Sequence, residues 1–326
     1  MNRLVSIVSF VVFPLVVQAQ SFVTDRPMVH DPVMAREGNM YYMMSTGRGL
    51  QMAESADRKT WRVWRDVPLL DEIPAWTHDS VPGFRDHVWA PDIIRWQDRW
   101  WMAYSCSTFG KNTSAIGLVS ADSLRPLSAD GRNMIKWRDE GPIVCSKGKR
   151  DNWNAIDPNF IIGEDGMPWL VFGSFWDGIQ LVRLDSTMHM ARPAYQRTIA
   201  RRVTNGRENP VEAPFVFRHD GWFYLFVSWD YCCRGMESTY KVVVGRSRTV
   251  AGPYLDRDGK DMAEGGGTLV IEGDKKQYEA AGHSAAYRFD DEDIFICHGY
   301  SIADKGASVL VQKKIKWTED EWPEIK

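Results

Sequence analysis

Long runs of any one kind are what this sequence lacks. Lys and Arg number 40 against 43 Asp and Glu, a net charge of −3, and neither sign collects into a block. The electrostatic footprint of a nucleic-acid binder is therefore missing. Sustained helical periodicity is missing as well, which argues against a helical fold. Cysteine is sparse, and Cys106, Cys145, Cys232, Cys233 and Cys297 show no spacing that suggests a zinc site. Their odd number leaves at least one thiol unpaired. Adjacent Cys232 and Cys233 are either a vicinal disulfide formed in an oxidising compartment or two small apolar residues beside a strand end.

One apolar run does exist, at 4–17, and Pro14 interrupts it. It falls short of the roughly 20 residues a membrane-spanning helix needs. Arg3 precedes it and the small-residue site Val17-Gln18-Ala19 follows, so residues 1–19 are expected to be a signal peptide. No cysteine lies near that site to carry a lipid. Residues 20–326 are then the exported chain, periplasmic or extracellular, with no membrane attachment after signal removal.

What is present is a repeat. Positions 154–176, NAIDPNFIIGEDGMPWLVFGSFW, run from an acid–proline pair through an apolar strand, a Glu164-Asp165-Gly166 turn and an aromatic strand. Pro158 cannot donate to a ladder and biases Asp157 towards extended backbone, so Asp157 is expected at a strand entrance. The unit recurs at Val29-His30-Asp31-Pro32, Trp89-Ala90-Pro91-Asp92, Val211-Glu212-Ala213-Pro214 and Gly282-His283-Ser284. Marker residues 31, 92, 157, 212 and 283 are separated by 61, 65, 55 and 71 positions. Second strands are expected at 40–45, 99–105, 168–172, 222–228 and 294–299. Third strands follow at 49–53, 115–120, 178–184, 240–247 and 308–314, and outer ones at 61–65, 135–138 and 194–199. A sheet unit repeated five times predicts an all-β fold, a five-bladed β-propeller forming a single catalytic domain. A β-sandwich would not require the same acid–proline opening so often. Long loops at 71–87 and 256–277 are expected to shape a cleft.

In a propeller the innermost strands line one channel, so Asp31, Asp157 and Glu212 can meet at its mouth. Asp92 is shifted one place, following its proline. Converging, buried carboxylates repel and at least one pKa rises. A protonated acid facing an ionised one is what hydrolysis of a glycosidic bond requires. A single acid–proline pair is more simply a strand cap; three in phase favour function.

The motifs HDP, WAPD, AIDPN and EAPF, in this order, resemble family 43 glycoside hydrolases, five-bladed propellers that invert the anomeric centre. STFGKNTSAIGL (107–118), FGSFWDGIQLV (172–182), VSWDYCCRG (227–235) and STYKVVVGRS (238–247) resemble the endo-α-1,5-L-arabinanases among them. The resemblance covers 29–299. It implies Asp31 as general base, Glu212 as general acid, Asp157 as the residue that orients the acid and tunes it, and Asp92, at a motif position that is not catalytic, as structural. Base and acid carboxyls of an inverting enzyme stand about 6.5–9.5 Å apart. Substrate contacts are implied at His30, Trp89, Phe109, Asn154, Ile156, Ser174 and Trp176, with Tyr231 and Arg234 as outer candidates. His283 is implied to lie near a channel-centre calcium, which prefers oxygen ligands and would be held largely by water. Gly282-His283-Ser284 departs here from the commoner Gly-His-Asn run. The expected partner is arabinan, including pectin side chains, cut internally by a monomeric enzyme. The alternatives are an exo-acting arabinofuranosidase or β-xylosidase on this scaffold and a carbohydrate-binding propeller without catalysis. A retaining sucrose- or fructan-cleaving enzyme is disfavoured, because Ala213-Pro214 follows Glu212 where that group carries Cys.

Overall fold

The computed structural model describes residues 20–65, 67–126, 135–206 and 208–326. The expected signal peptide, 1–19, lies outside them. Five antiparallel sheets follow one another along the chain, and each is a blade. From the inside outwards, blade 1 is Val33–Glu37, Met40–Ser45, Gln51–Ser55 and Trp61–Arg65, with Gln20–Thr24 added at its outer edge. Blade 2 is His87–Trp96, Arg99–Cys106, Ser114–Ala121 and Arg138–Ser146, with the short strand Gly47–Arg48 pairing its inner edge. Blade 3 is Asn159–Ile162, Pro168–Phe172, Ile179–Arg183 and Gln196–Ala200. Blade 4 is Val211–His219, Trp222–Trp229, Lys241–Ser247 and Thr268–Glu272. Blade 5 is Tyr278–Phe289, Glu292–Ser301, Ala307–Trp317 and Pro323–Ile325.

Each sheet is covered on both faces by its neighbours, which is why Pro168–Phe172 reads as a continuous apolar run and is buried throughout. The ring closes through side chains that cross between neighbouring blades. Thr46 Oγ1 accepts from Ala90 N at 2.8 Å, Asp92 Oδ2 from Phe160 N at 2.6 Å and Asn159 Oδ1 from Val216 N at 2.8 Å. His219 meets Asp293 at 3.0 Å, and Tyr287 Oη accepts from Met34 N at 2.8 Å to complete the circle. Asp92 is thus a strut between blades 2 and 3, in keeping with the structural part the resemblance implied. Packing between blades also accounts for aromatics: Trp317 stacks on His219 of the next blade at 3.8 Å.

Three expectations shift. The outer strand of blade 2 is Arg138–Ser146, not 135–138. Ile135 and Trp137 reach the core from a turn, while Gly141-Pro142 look like a breaker but are absorbed by two bulges on an outer edge. The loop at 256–277 contains blade 4's outer strand, Thr268–Glu272. Gly267 is needed there because a Cβ would lie 2.7 Å from the Trp229 ring. Finally, Asp157 is not extended: its φ is +56°.

That last difference recurs in every blade. Asp31, Ala90, Asp157, Ala213 and His283 have φ of +53°, +41°, +56°, +52° and +52°, and four of them precede proline. Such backbone costs about 1–3 kcal/mol per residue and persists only where the surroundings enforce it. Here each strained N–H is captured by a side chain: His298 Nδ1, Thr46 Oγ1, Ser105 Oγ, Asp157 Oδ2 and Ser228 Oγ, at 2.8–3.1 Å. The turn marks the true phase of the repeat. Glu212 stands one residue before it and Asp92 two after. Among the described residues no helix is long and apolar enough to cross a membrane.

Candidate active site

The inner-strand turns bring Asp31, Asp157 and Glu212 into one buried cluster, each close enough to alter another's ionisation. Their surroundings differ. Asp31 Oδ2 accepts from Thr46 Oγ1 at 2.6 Å, and Oδ1 takes the Nδ1–H of His283 at 2.9 Å. His30 Nε2 stands 3.5 Å from the same oxygen. Burial pushes the Asp31 carboxyl up, but His283 and then His30 outweigh it and hold it well below the usual carboxylate range. Burial lowers the His283 imidazole, while the Asp31 carboxylate raises it further, to about 9.

His298 lies beneath this pair, fully buried. Its Nδ1 accepts the Asp31 backbone N–H at 3.1 Å, so Nδ1 carries no proton, and Nε2–H donates to Tyr300 Oη at 3.3 Å. Burial, with His30 and His283 adjacent, keeps the ring neutral. Its 3.5 Å approach to Asp31 Oδ1 is therefore not an ion pair.

Glu212 Oε2 accepts from Ser174 Oγ and Oε1 from Tyr240 Oη, both at 2.8 Å. Burial raises this carboxyl despite both hydrogen bonds. Asp157 Oδ2 accepts the Ala213 N–H, from the residue after Glu212, at 3.1 Å. Burial pushes Asp157 up to about 8, with Glu212 and Asp31 adding to it and His283 opposing. This pair holds a proton at neutral pH. Hydroxyls at Ser174 and Tyr240 can turn to accept as well as donate, so Glu212 is accommodated in either state.

The other expected residues fall into two groups. At the mouth, Phe109 is 76% exposed and Trp176 39%, with Asn209 Nδ2 donating to the Trp176 carbonyl at 3.0 Å. Trp89 is half-buried and donates its indole N–H to His87 Nδ1 at 2.8 Å. His30 stacks on His298 with centroids 4.0 Å apart. Tyr231 lies under the Arg234 guanidinium at 4.0 Å and 6.0 Å from the Phe175 ring. Deeper, Ser174 is committed to Glu212, and Ile156 is buried. Asn154, also buried, accepts from Ser114 Oγ at 2.7 Å in a network joining blades 2 and 3. Sequence reasoning gave no role to Thr46, Tyr240, His298 or Tyr300. Tyr240 lies inside the STYKVVVGRS motif, which was its one available signal. His298 had none.

Among the described residues, the groups of His, Cys, Asp and Glu able to converge on one ion are His30–Asp31–His298 and His30–Cys232–Cys233. Neither contains His283, so an ion beside it would take most of its ligands from water. Cys232 and Cys233 are joined in a disulfide, and Cys106, Cys145 and Cys297 are free.

An ionised carboxylate facing a buried pair that retains a proton is the equipment of two-carboxylate glycoside hydrolysis, and a five-bladed propeller is its frame here. The sequence model described as Glycosyl hydrolases family 43 matches residues 25–323, and the chain belongs to that family. It is 41% identical over 307 residues to the extracellular exo-α-(1→5)-L-arabinofuranosidase ArbA of Cellvibrio japonicus, covering 91% of this chain and 86% of that protein. It is 40% identical over 304 residues to the extracellular endo-α-(1→5)-L-arabinanase 1 of Bacillus subtilis, covering 91% and 87%. The crystal structure of an exo-1,5-α-L-arabinanase from a bovine ruminal metagenomic library superimposes with a TM-score of 0.87 at 49% identity, over 93% of this chain and 97% of that one.

Proposed function

We propose that this protein is an exported, inverting hydrolase of the α-1,5-L-arabinofuranosidic links of arabinan, cutting within the chain. The observation that carries the reading is the opposite protonation of Asp31 and the Asp157–Glu212 pair. Asp31, ionised among histidines, takes the proton of a water attacking the anomeric carbon. Glu212 gives its proton to the departing oxygen, and the new hydroxyl inverts the centre. Asp157 accepts the Ala213 N–H beside the acid and shares with Glu212 a proton whose loss would leave two like charges side by side. Arabinan as substrate is supported by what the similar proteins are named for, and export by the extracellular naming of two of them.

Release from the chain end is the second reading. It is favoured by the exo-acting relative at 49% identity. Product sizing on linear arabinan separates the two. Oligosaccharides accumulating early support internal cutting, monosaccharide or one short product from the outset supports the exo reading, and no turnover on any arabinan overturns both. Calcium at the channel centre remains part of the proposal, coordinated by water beside His283. Exhaustive chelation is expected to lower the melting temperature; unchanged melting and activity would remove the ion from the account.

A further inference from the structure

The sequence left Cys232-Cys233 without a function. The structure places the pair in the loop after the second strand of blade 4, with Cys233 exposed at the channel mouth. Two contacts run from this pair towards Asp31. The first passes through His30. Cys233 Sγ lies 3.6 Å from His30 Nε2, and the same nitrogen lies 3.5 Å from Asp31 Oδ1. A disulfide sulfur has no proton and, like a carboxylate, can only accept. The contact is a hydrogen bond only with the hydrogen on Nε2, which then faces the sulfur with the carboxylate 3.5 Å from the same nitrogen, while the ring rests on His298. The second contact passes through Tyr300. Cys233 N–H donates to Tyr300 Oη at 2.7 Å, Tyr300 Oη also accepts from His298 Nε2, and His298 Nδ1 accepts the strained Asp31 N–H. One route ends on the side chain of Asp31 and the other on its backbone.

We infer that the Cys232–Cys233 disulfide is a positioning element for Asp31, fixing its carboxylate through His30 and its backbone through Tyr300 and His298. The inference rests on the proposed role of Asp31 as base. The covalent ring restricts Cys233 to one place, so both contacts are set before substrate arrives. Reduction undoes this chemically as well as sterically. A phosphine converts the disulfide and one water to two thiols and a phosphine oxide. A thiol at Cys233 can rotate away and can donate its own hydrogen to Nε2, which removes the reason for the hydrogen to stay on Nε2.

The test compares oxidised wild type, phosphine-reduced wild type and the Cys232→Ser/Cys233→Ser variant on linear arabinan. Free thiols are counted before and after, and melting temperature is measured alongside. Reduction, verified by two additional thiols, is expected to lower kcat between about 10- and 100-fold, the penalty of a base displaced by a fraction of a bond length. KM should stay within about two-fold, since uniform binding is not what is lost. Reoxidation should restore wild-type kcat, and the Ser variant should match the reduced enzyme and ignore the phosphine. An unchanged kcat with two thiols freed overturns the inference, as does a rise in KM alone, which would make the disulfide a sugar contact. Should the reduced protein melt below the assay temperature, Tyr300→Phe in the oxidised enzyme isolates the second route, and a wild-type kcat there also overturns it. Asp31→Ala is run in parallel. Activity surviving in that variant dismisses Asp31 as base, whereas an inactive Asp31→Ala beside a reduction-insensitive wild type rejects only the positioning role.

Discussion

Asp31 and Asp157 begin alike and end as opposites. Both are aspartates before proline, both occupy the left-handed turn at the head of an inner strand, and both are buried. Three imidazoles surround Asp31, one of them a cation on its oxygen, and it is ionised. Asp157 faces Glu212 and receives a single backbone N–H, and it is held at about 8. The comparison teaches that the repeat supplies places, while neighbours from other blades decide what a carboxyl in that place does.

The largest effect should come from deleting either end of the reaction. Asp31→Ala and Glu212→Ala are each expected to lower kcat about 10²–10⁴-fold, with melting temperature near wild type. An aryl glycoside of an α-1,5-arabino-oligosaccharide then tells the two apart. Its phenol departs without protonation, so Glu212→Ala should recover much of its rate and Asp31→Ala none. Equal recovery in both variants would erase the division of labour.

A smaller change should follow Asp157→Asn, and it should appear in the pH profile. Glu212 serves as an acid only while protonated, so activity is lost as pH rises through its raised pKa. In the wild type, loss of the proton shared by the pair leaves two like charges side by side; with a neutral amide at 157 only one forms, so the alkaline limb of kcat/KM should move to lower pH. A limb that stays in place breaks the pairing of Asp157 with Glu212.

Smallest in activity is Asp92, the buried acid outside the trio. Burial raises its pKa to about 7, but its Oδ2 accepts from Phe160 N and Asn159 Nδ2 between blades. Asp92→Ala should cost about 1–3 kcal/mol of stability by orphaning those donors, leaving kcat of the folded protein unchanged. Asp92→Asn, whose amide oxygen still accepts, should recover most of that loss. Denaturant titration with activity measured on the folded fraction checks both.

Strand order and blade number were legible along the chain because they are local. Met40–Ser45 and Pro168–Phe172 lie where alternation, apolar content and flanking turns placed them. The outer strand of blade 2 and the strand inside 256–277 were placed less well: Gly141-Pro142 sit between bulges on an outer edge, and Gly267 allows close approach to a ring. The three acids were legible as residues, and Glu212 was even assigned the wrong phase of the turn without loss. The Thr46, Tyr240, His298 and Tyr300 side chains were not, since each belongs to a strand or turn that meets its partner from a distant stretch of chain.

What the sequence determined alone was the repeat, hence the propeller, and the identity of the carboxylates it delivers to the channel. Tertiary structure alone decided that one of them is ionised, that the other two retain a proton, and that a disulfide stands behind the base. Hydrophobic period and turn chemistry act over a few residues, whereas desolvation and charge act through space, between groups such as Asp31 and His298, 267 positions apart.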